Sequence, residues 1–160
     1  STHSALAHRV MPWAYALSPY LGAGVYVGPG PAWDALVEGI YRCPADDRER
    51  RWSYGKNVWF ELDAAETGAV DGMPEGKVYH RINQVRQPSR TVLFGELGSG
   101  SMADHIMAHF WYIGATPEVD AFRHGRTSNY VFADGHAEPA VFIDTFNPPG
   151  VDLWHPGRAR

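Results

Sequence analysis

The sequence predicts an α+β fold: N-terminal helices packed on an antiparallel β-sheet, with a C-terminal Asp-Gly hairpin. Three observations carry this. Helical periodicity is strongest within residues 12–41, where Trp33, Leu36, Val37, Ile40 and Tyr41 fall at i, i+3, i+4, i+7 and i+8. Short runs rich in aromatic and β-branched residues follow from residue 52 onward. Helices first and strands afterwards argue for a segregated, antiparallel arrangement. Finally, Asp134-Gly135 stands between two apolar runs, and Asp-Gly is the strongest short-range hairpin signal because Gly accepts positive φ freely.

In "PWAYALSPYL" (12–21), Trp13, Ala16, Leu17 and Tyr20 share helical spacing, Pro12 suits the first turn and Gly22 the C-cap. Pro19 shortens or breaks this helix. "AWDALVEGIY" (32–41) is the stronger helix, stopped by Pro44. "ADDRERR" (45–51) is a charge run, expected as solvated surface. "WSYGKNVWFEL" (52–62) reads as a strand, "DAAETGAVDGMPEG" (63–76) as a loop, and "VYHRINQVRQPSR" (78–90) as one or two helical turns closed by Pro88. "TVLFGE" (91–96) reads as a buried strand. In "GSGSMADHIMAHFWYIG" (98–114) a loop gives way to helix or strand. "NYVFA" and "HAEPAVFI" flank the Asp-Gly turn. The tail, 147–160, reads as irregular.

The 160 residues suit a single domain, 1–160, with 44% hydrophobic and 20% charged residues. A net charge of −4 gives no electrostatic reason to expect nucleic acid as partner. No apolar run reaches the ~18 residues of a membrane helix. The single cysteine, Cys43, has no partner for a disulfide in this chain and reads as a buried thiol.

The hairpin tests whether "FRHGRTSNYVFADGHAEP" (122–139) is a catalytic or metal-binding cluster. A two-residue type I′ turn would pair Ala133 with His136, Phe132 with Ala137, Val131 with Glu138 and Tyr130 with Pro139. Pro139 places its strand at a sheet edge. At about 3.3 Å per residue, the five extended residues 129–133 put the start of the strand roughly 16 Å from the turn, with His124 and Asp134 at its opposite ends. His124 is thus expected to pin the loop before the strand, bonding to nearby loop backbone or to a neighbouring strand, with Glu96 a candidate carboxylate partner. Asp134 and Gly135 are expected to make the turn. Any metal near the turn would use Asp134 and the exposed His136.

Other chemistry is sparse. His105 and His109 at i, i+4 would face one way on a helix, but Ile106 stands where the Glu of a zinc-protease helix belongs. Asp104, Glu118, Asp120 and Asp134 lie in or near loops, and calcium takes such oxygens, although their spacing fits no EF-hand. No Gly-x-Ser-x-Gly elbow holds a nucleophile. A metal-dependent enzyme is therefore the third reading. The six tryptophans permit another function, a secreted carbohydrate-binding module that stacks exposed Trp and Tyr on a polysaccharide, although each Trp would also fill a large part of a small core.

His124, nine residues, then Asp134-Gly135 resembles the signature of a bacterial family of prepilin-derived proteins, abundant in planctomycetes and verrucomicrobia, named for a His-x9-Asp-Gly motif. "WAYALSPYL" (13–21), "YRCPAD" (41–46), "SYGKN" (53–57) and "QPSRTVLFGE" (87–96) are similar to four further elements of that family, in its order. The resemblance implies the globular head of a type IV pilin-like or type II secretion pseudopilin-like protein, at the cell surface or outside it, structural and not enzymatic. The family's long apolar N-terminal helix is not in this sequence, so the expectation is a soluble, monomeric head whose contacts with other subunits run through that helix. Family members often carry a Cys near the end of the helix, which gives Cys43 a second reading. No cofactor is implied, and calcium, which related pseudopilins bind in a C-terminal loop, is the candidate ion.

Overall fold

A computed structural model describes residues 12–48, 52–101 and 104–160. The fold is α+β. Helix α1 (Trp13–Leu17) runs into a 3-10 turn, Ser18–Leu21, that carries Pro19 at its start and is capped by Gly22 with φ 83°. Helix α2 is Pro31–Glu38, with Pro31 in its first turn. Strands β1 (Tyr54–Asn57), β2 (Val92–Glu96), β3 (His105–Ile106), β4 (Ser128–Phe132) and β5 (Ala137–Ala140) form one sheet in the order β3-β1-β2-β4-β5. Its pairs are antiparallel except β1 with β3. Pro139 lies on the edge strand β5. Among the described residues no helix is long and apolar enough to cross a membrane.

Successive strand residues face opposite sides of a sheet, and β2 shows what each side meets. Phe94 joins Trp13, Ala14, Leu36 and Tyr41 under the N-terminal helices. A Cβ on the next residue, Gly95, would meet the Trp154 ring at 3.0 Å, on the side of the larger cluster of Trp59, Leu97, Ile106, Tyr130, Phe132 and Trp154. The sheet therefore lies between the helices and the C-terminal segment. That segment is more ordered than its sequence promised. After helix α4 (Phe142–Thr145), strands β6 (Phe146–Asn147) and β7 (Val151–Asp152) form a small ladder, and Leu153, Trp154, His155 and Ala159 are buried. Its prolines stop regular structure without stopping burial.

Four further expectations are corrected. Residues 63–76 hold helix α3 (Ala64–Asp71), started by a capping box in which Asp63 and Glu66 satisfy each other's backbone N–H groups. The helix lacks an apolar stripe because it buries Thr67 and Gly68, and the backbone of Glu75 passes within 2.7 Å of where a Gly68 Cβ would sit. The strand read over 52–62 ends at Asn57 and becomes a 3-10 turn, Val58–Phe60. Asp46 and Arg48 of the charge run are buried together, 2.7 Å apart, and not solvated; residues 49–51 of that run lie outside the described residues.

The fourth correction is the hairpin register. β4 and β5 pair Val131 with Ala137 and Tyr130 with Glu138, one residue off the expected ladder. Ala133, Asp134 and Gly135 form a three-residue loop. Gly135 N–H donates to Phe132 O (2.9 Å), Phe132 N–H donates to His136 O (2.9 Å), and Gly135 has φ 97°. This is a type I turn followed by a left-handed glycine. Ala133 is drawn out of the ladder because its N–H donates to Thr91 O at 2.8 Å, beside β2. The slip turns every β5 side chain to the other face from the one its sequence implied.

Candidate functional site

The site is assembled from four short segments that turn residues bring together. Pro44 ends the chain's run after α2 at Cys43, whose N–H donates to Ser53 Oγ at 2.8 Å. Glu96 closes β2 and is fully buried. The tight turn Phe122–Gly125, with Gly125 at φ 88°, presents His124. The backbone just past it supplies Ser128 and Asn129 at the start of β4.

Glu96 is the centre. Its Oε2 accepts from Ser128 Oγ (2.7 Å) and from Asn129 N–H (2.8 Å), and its Oε1 lies 3.0 Å from His124 Nε2. Burial acts to raise the carboxyl's pKa, but these donors overcome it and hold Glu96 below the usual carboxylate range. Cys43 Sγ lies 3.6 Å from the same His124 nitrogen. Burial pushes the Cys43 thiol up. One ligand atom from each of Cys43, Glu96 and His124 lies within 4.8 Å of the others, and among the described residues this is the one such group of three or more His, Cys, Asp or Glu. Cys43 and Glu96 are buried, whereas the His124 side chain is about one-third exposed (34%).

Beside this cluster Arg123 is almost fully buried and serves as a hub. It donates to Leu97 O (2.5 Å), Ser53 O (3.3 Å) and Asp120 Oδ2 (3.2 Å), and lies 3.5 Å from Asp46 Oδ2 and 3.9 Å from Glu96 Oε1. For Asp46, burial alone would raise the pKa, yet bonds from Arg48 and Ser53 hold its carboxyl well below the usual range. Sequence reasoning missed Asp46, Ser53 and Arg123. The available signal was an Arg directly before the motif His and an Asp directly after Cys-Pro-Ala, inside segments already singled out.

The arrangement is not a nucleophilic relay. Such a relay uses the two imidazole nitrogens separately, one for the nucleophile and one for the orienting carboxylate. Here Cys43 and Glu96 both face Nε2.

The other sequence candidates fall elsewhere. Asp134 and His136 sit at the far end of β4 from His124 and pair with each other, Oδ1 to Nδ1 at 2.6 Å, on the surface. Asp134 Oδ1 also accepts His136 N–H at 3.2 Å. The four carboxylates weighed for calcium do not meet. Glu118 accepts from Trp111 Nε1 (3.1 Å), Asp120 from Arg123, and Asp104 and Asp134 pair with His105 and His136. His105 and His109 share no helix, since one lies on β3 and the other in a 3-10 turn, Ala108–Ile113. Of the tryptophans, Trp13, Trp59, Trp111 and Trp154 are buried, and Trp33 and Trp52 are half-buried; Trp33 lines a surface pocket with Tyr26.

His105 instead forms a buried ion group. Its Nε2 lies 2.5 Å from Glu61 Oε2 and its Nδ1 2.5 Å from Asp104 Oδ1, while Lys56 Nζ pairs with Glu61 Oε1 at 2.9 Å. Burial alone would lower the imidazole pKa, but the two carboxylates raise it to about 9. A raised folded-state pKa gives stability that is complete below the unfolded value and lost as pH rises through the folded one. Stability is therefore expected to fall by on the order of 2–3 kcal/mol between about pH 6.5 and pH 9. Chemical denaturation across that range checks it. His105→Gln should flatten the slope, and an equal slope in both proteins would refute the assignment. This group borders a cleft of about 530 Å³ lined by Trp13, Leu17, Phe60, Phe94, Lys56 and Glu61, whose floor is apolar and whose two charges pair with each other.

No family model, no curated protein and no solved structure matches this chain.

Proposed function

We propose that the chain is the globular head of a pilin-like or pseudopilin-like protein of the cell surface or extracellular space, with a structural and not a catalytic role. One observation supports this above the rest. Four of the segments that resemble the prepilin-derived His-x9-Asp-Gly family, scattered over residues 41–124, each send a residue into one polar network around Glu96 and Arg123. "YRCPAD" supplies Cys43 and Asp46, "SYGKN" supplies Ser53, "QPSRTVLFGE" supplies Glu96, and the His-x9-Asp-Gly segment supplies His124. Asn57 Nδ2 donates to Val92 O (2.8 Å) and Trp154 O (2.7 Å), tying β1 to β2 and the C-terminal segment. Trp13 Nε1 donates to Asp104 O (3.0 Å) and Tyr41 Oη to Ala14 O (2.7 Å), tying the first helix in as well. A signature whose members share one network is a signature of architecture. On this reading the head is monomeric by itself, and subunit contacts are made by a preceding apolar helix.

The test is cell fractionation with an antibody raised against the purified head. Antigen is expected in the membrane fraction and in filaments sheared from the cell surface, and its surface form is expected to disappear when the prepilin peptidase is deleted. Antigen confined to the cytosol, or turnover of a glycan, ester or peptide substrate abolished by one point substitution, would overturn the reading.

A further inference from the structure

We propose that Cys43, Glu96 and His124 bind one divalent transition-metal ion of the zinc class. The proposal is independent of the pilin-like reading, since it rests on the geometry of three side chains alone.

Sulfur, imidazole nitrogen and carboxylate oxygen are the three donor types zinc takes, and three protein ligands leave a fourth tetrahedral position open. Their ligand atoms stand within 4.8 Å of one another, a span that an ion at ordinary zinc–ligand distances can bridge with small side-chain movements. Convergence on a single nitrogen, which argues against a proton relay, is what one shared ion requires. Each ligand is also fixed from behind, as good metal ligands are. Ser128 and Asn129 hold Glu96 Oε2 and leave Oε1 facing the cluster. Ser53 Oγ fixes the Cys43 backbone, and the Phe122–Gly125 turn fixes His124. The partly exposed imidazole marks the route of entry.

The charges balance. On binding, the Cys43 thiol proton leaves to solvent and the imidazole proton resides on Nδ1, so thiolate and carboxylate together offset a dication. Arg123, 3.9 Å from Glu96 Oε1, is the competing cation, but Asp46 and Asp120 face it at 3.5 and 3.2 Å.

Cobalt(II) and zinc(II) provide the test, because Cys43 is the only cysteine in the chain and only this site can give a thiolate–cobalt charge-transfer band. The reduced, metal-free protein is titrated anaerobically with cobalt(II), then zinc(II) is added in competition. The expected result is one cobalt per chain, a thiolate charge-transfer band with intense tetrahedral visible bands, and displacement by zinc. Cys43→Ser should abolish the band, and His124→Gln should weaken binding at least about 100-fold, since even removal of a supporting partner costs 10–100-fold. His136→Ala, which removes the exposed Asp134 pair, should leave the titration unchanged. Thermal melts show whether each variant is folded. Absence of the band in the wild-type protein, or a band undiminished in His124→Gln, would overturn the proposal.

Discussion

Glu96→Leu is expected to destabilise the fold by about 3–5 kcal/mol, the usual consequence of removing one partner from a buried charged group. The leucine fills similar space but leaves the Ser128 hydroxyl and the Asn129 N–H without their acceptor. It also takes away the carboxylate nearest Arg123 on the β2 side. Glu96→Gln keeps an oxygen for the two donors and should cost less, about 1–3 kcal/mol. Denaturant unfolding in the presence of chelator, at pH 7, measures both. The order matters as much as the size. Because Glu96 is held below the usual carboxylate range, its contribution is present above the unfolded-state pKa and is lost as pH falls through the folded one. The gap between wild type and Glu96→Gln should therefore narrow in acid. A Glu96→Leu protein within about 1 kcal/mol of wild type would show that the network is incidental.

Trp154→Ala is expected to cost about 3–5 kcal/mol, as large-to-small changes at fully buried aromatics do. The indole lies on Gly95 of β2 and against Trp111, with ring centroids 4.9 Å apart, and its Nε1 donates to Thr145 Oγ1 at 3.1 Å. Its backbone carbonyl accepts from Asn57, so the cavity opens where the tail joins the sheet. Phe122→Ala, at a residue 70% exposed, should change stability by no more than about 0.5 kcal/mol. The comparison separates core packing from mere aromatic content. If both variants melt alike, residues 151–159 do not belong to the core.

What the sequence made legible follows the range of the interactions involved. Helices α1 and α2, strand β2 and the edge position of Pro139 depend on side-chain periodicity and on proline chemistry within a few residues, and these could be read directly. The hairpin was legible as a hairpin but not in register. A two-residue and a three-residue loop differ by one hydrogen bond, and Thr91, 42 positions upstream, decides it by taking the Ala133 N–H. Helix α3 escaped notice because its buried face is Thr67 and Gly68, invisible to a search for apolar stripes, although its capping box was in view. The buried Asp46–Arg48 pair looked like surface because charge runs usually are; its burial is supported by Ser53 and by Arg123, both brought in from outside the run. Glu96 was one of several kinds of partner open to His124, and the structure places it there. The approach of Cys43 to His124 joins residues 81 positions apart and has no local signature.

The burial of Trp154 against the sheet also sets an order of events during synthesis. The five-stranded sheet has all its strands once Ala140 has emerged from the ribosome, yet the face bearing Gly95, Tyr130 and Ile106 stays uncovered until Trp154 follows. At translation speeds of 5–20 residues per second, that interval is roughly one to three seconds. During it the nascent chain shows a wet aromatic and aliphatic surface to any chaperone at the exit port. Holding the chain with Ala140 outside the ribosome and Trp154 still inside it should prolong that state, where holdase chaperones would bind it most tightly.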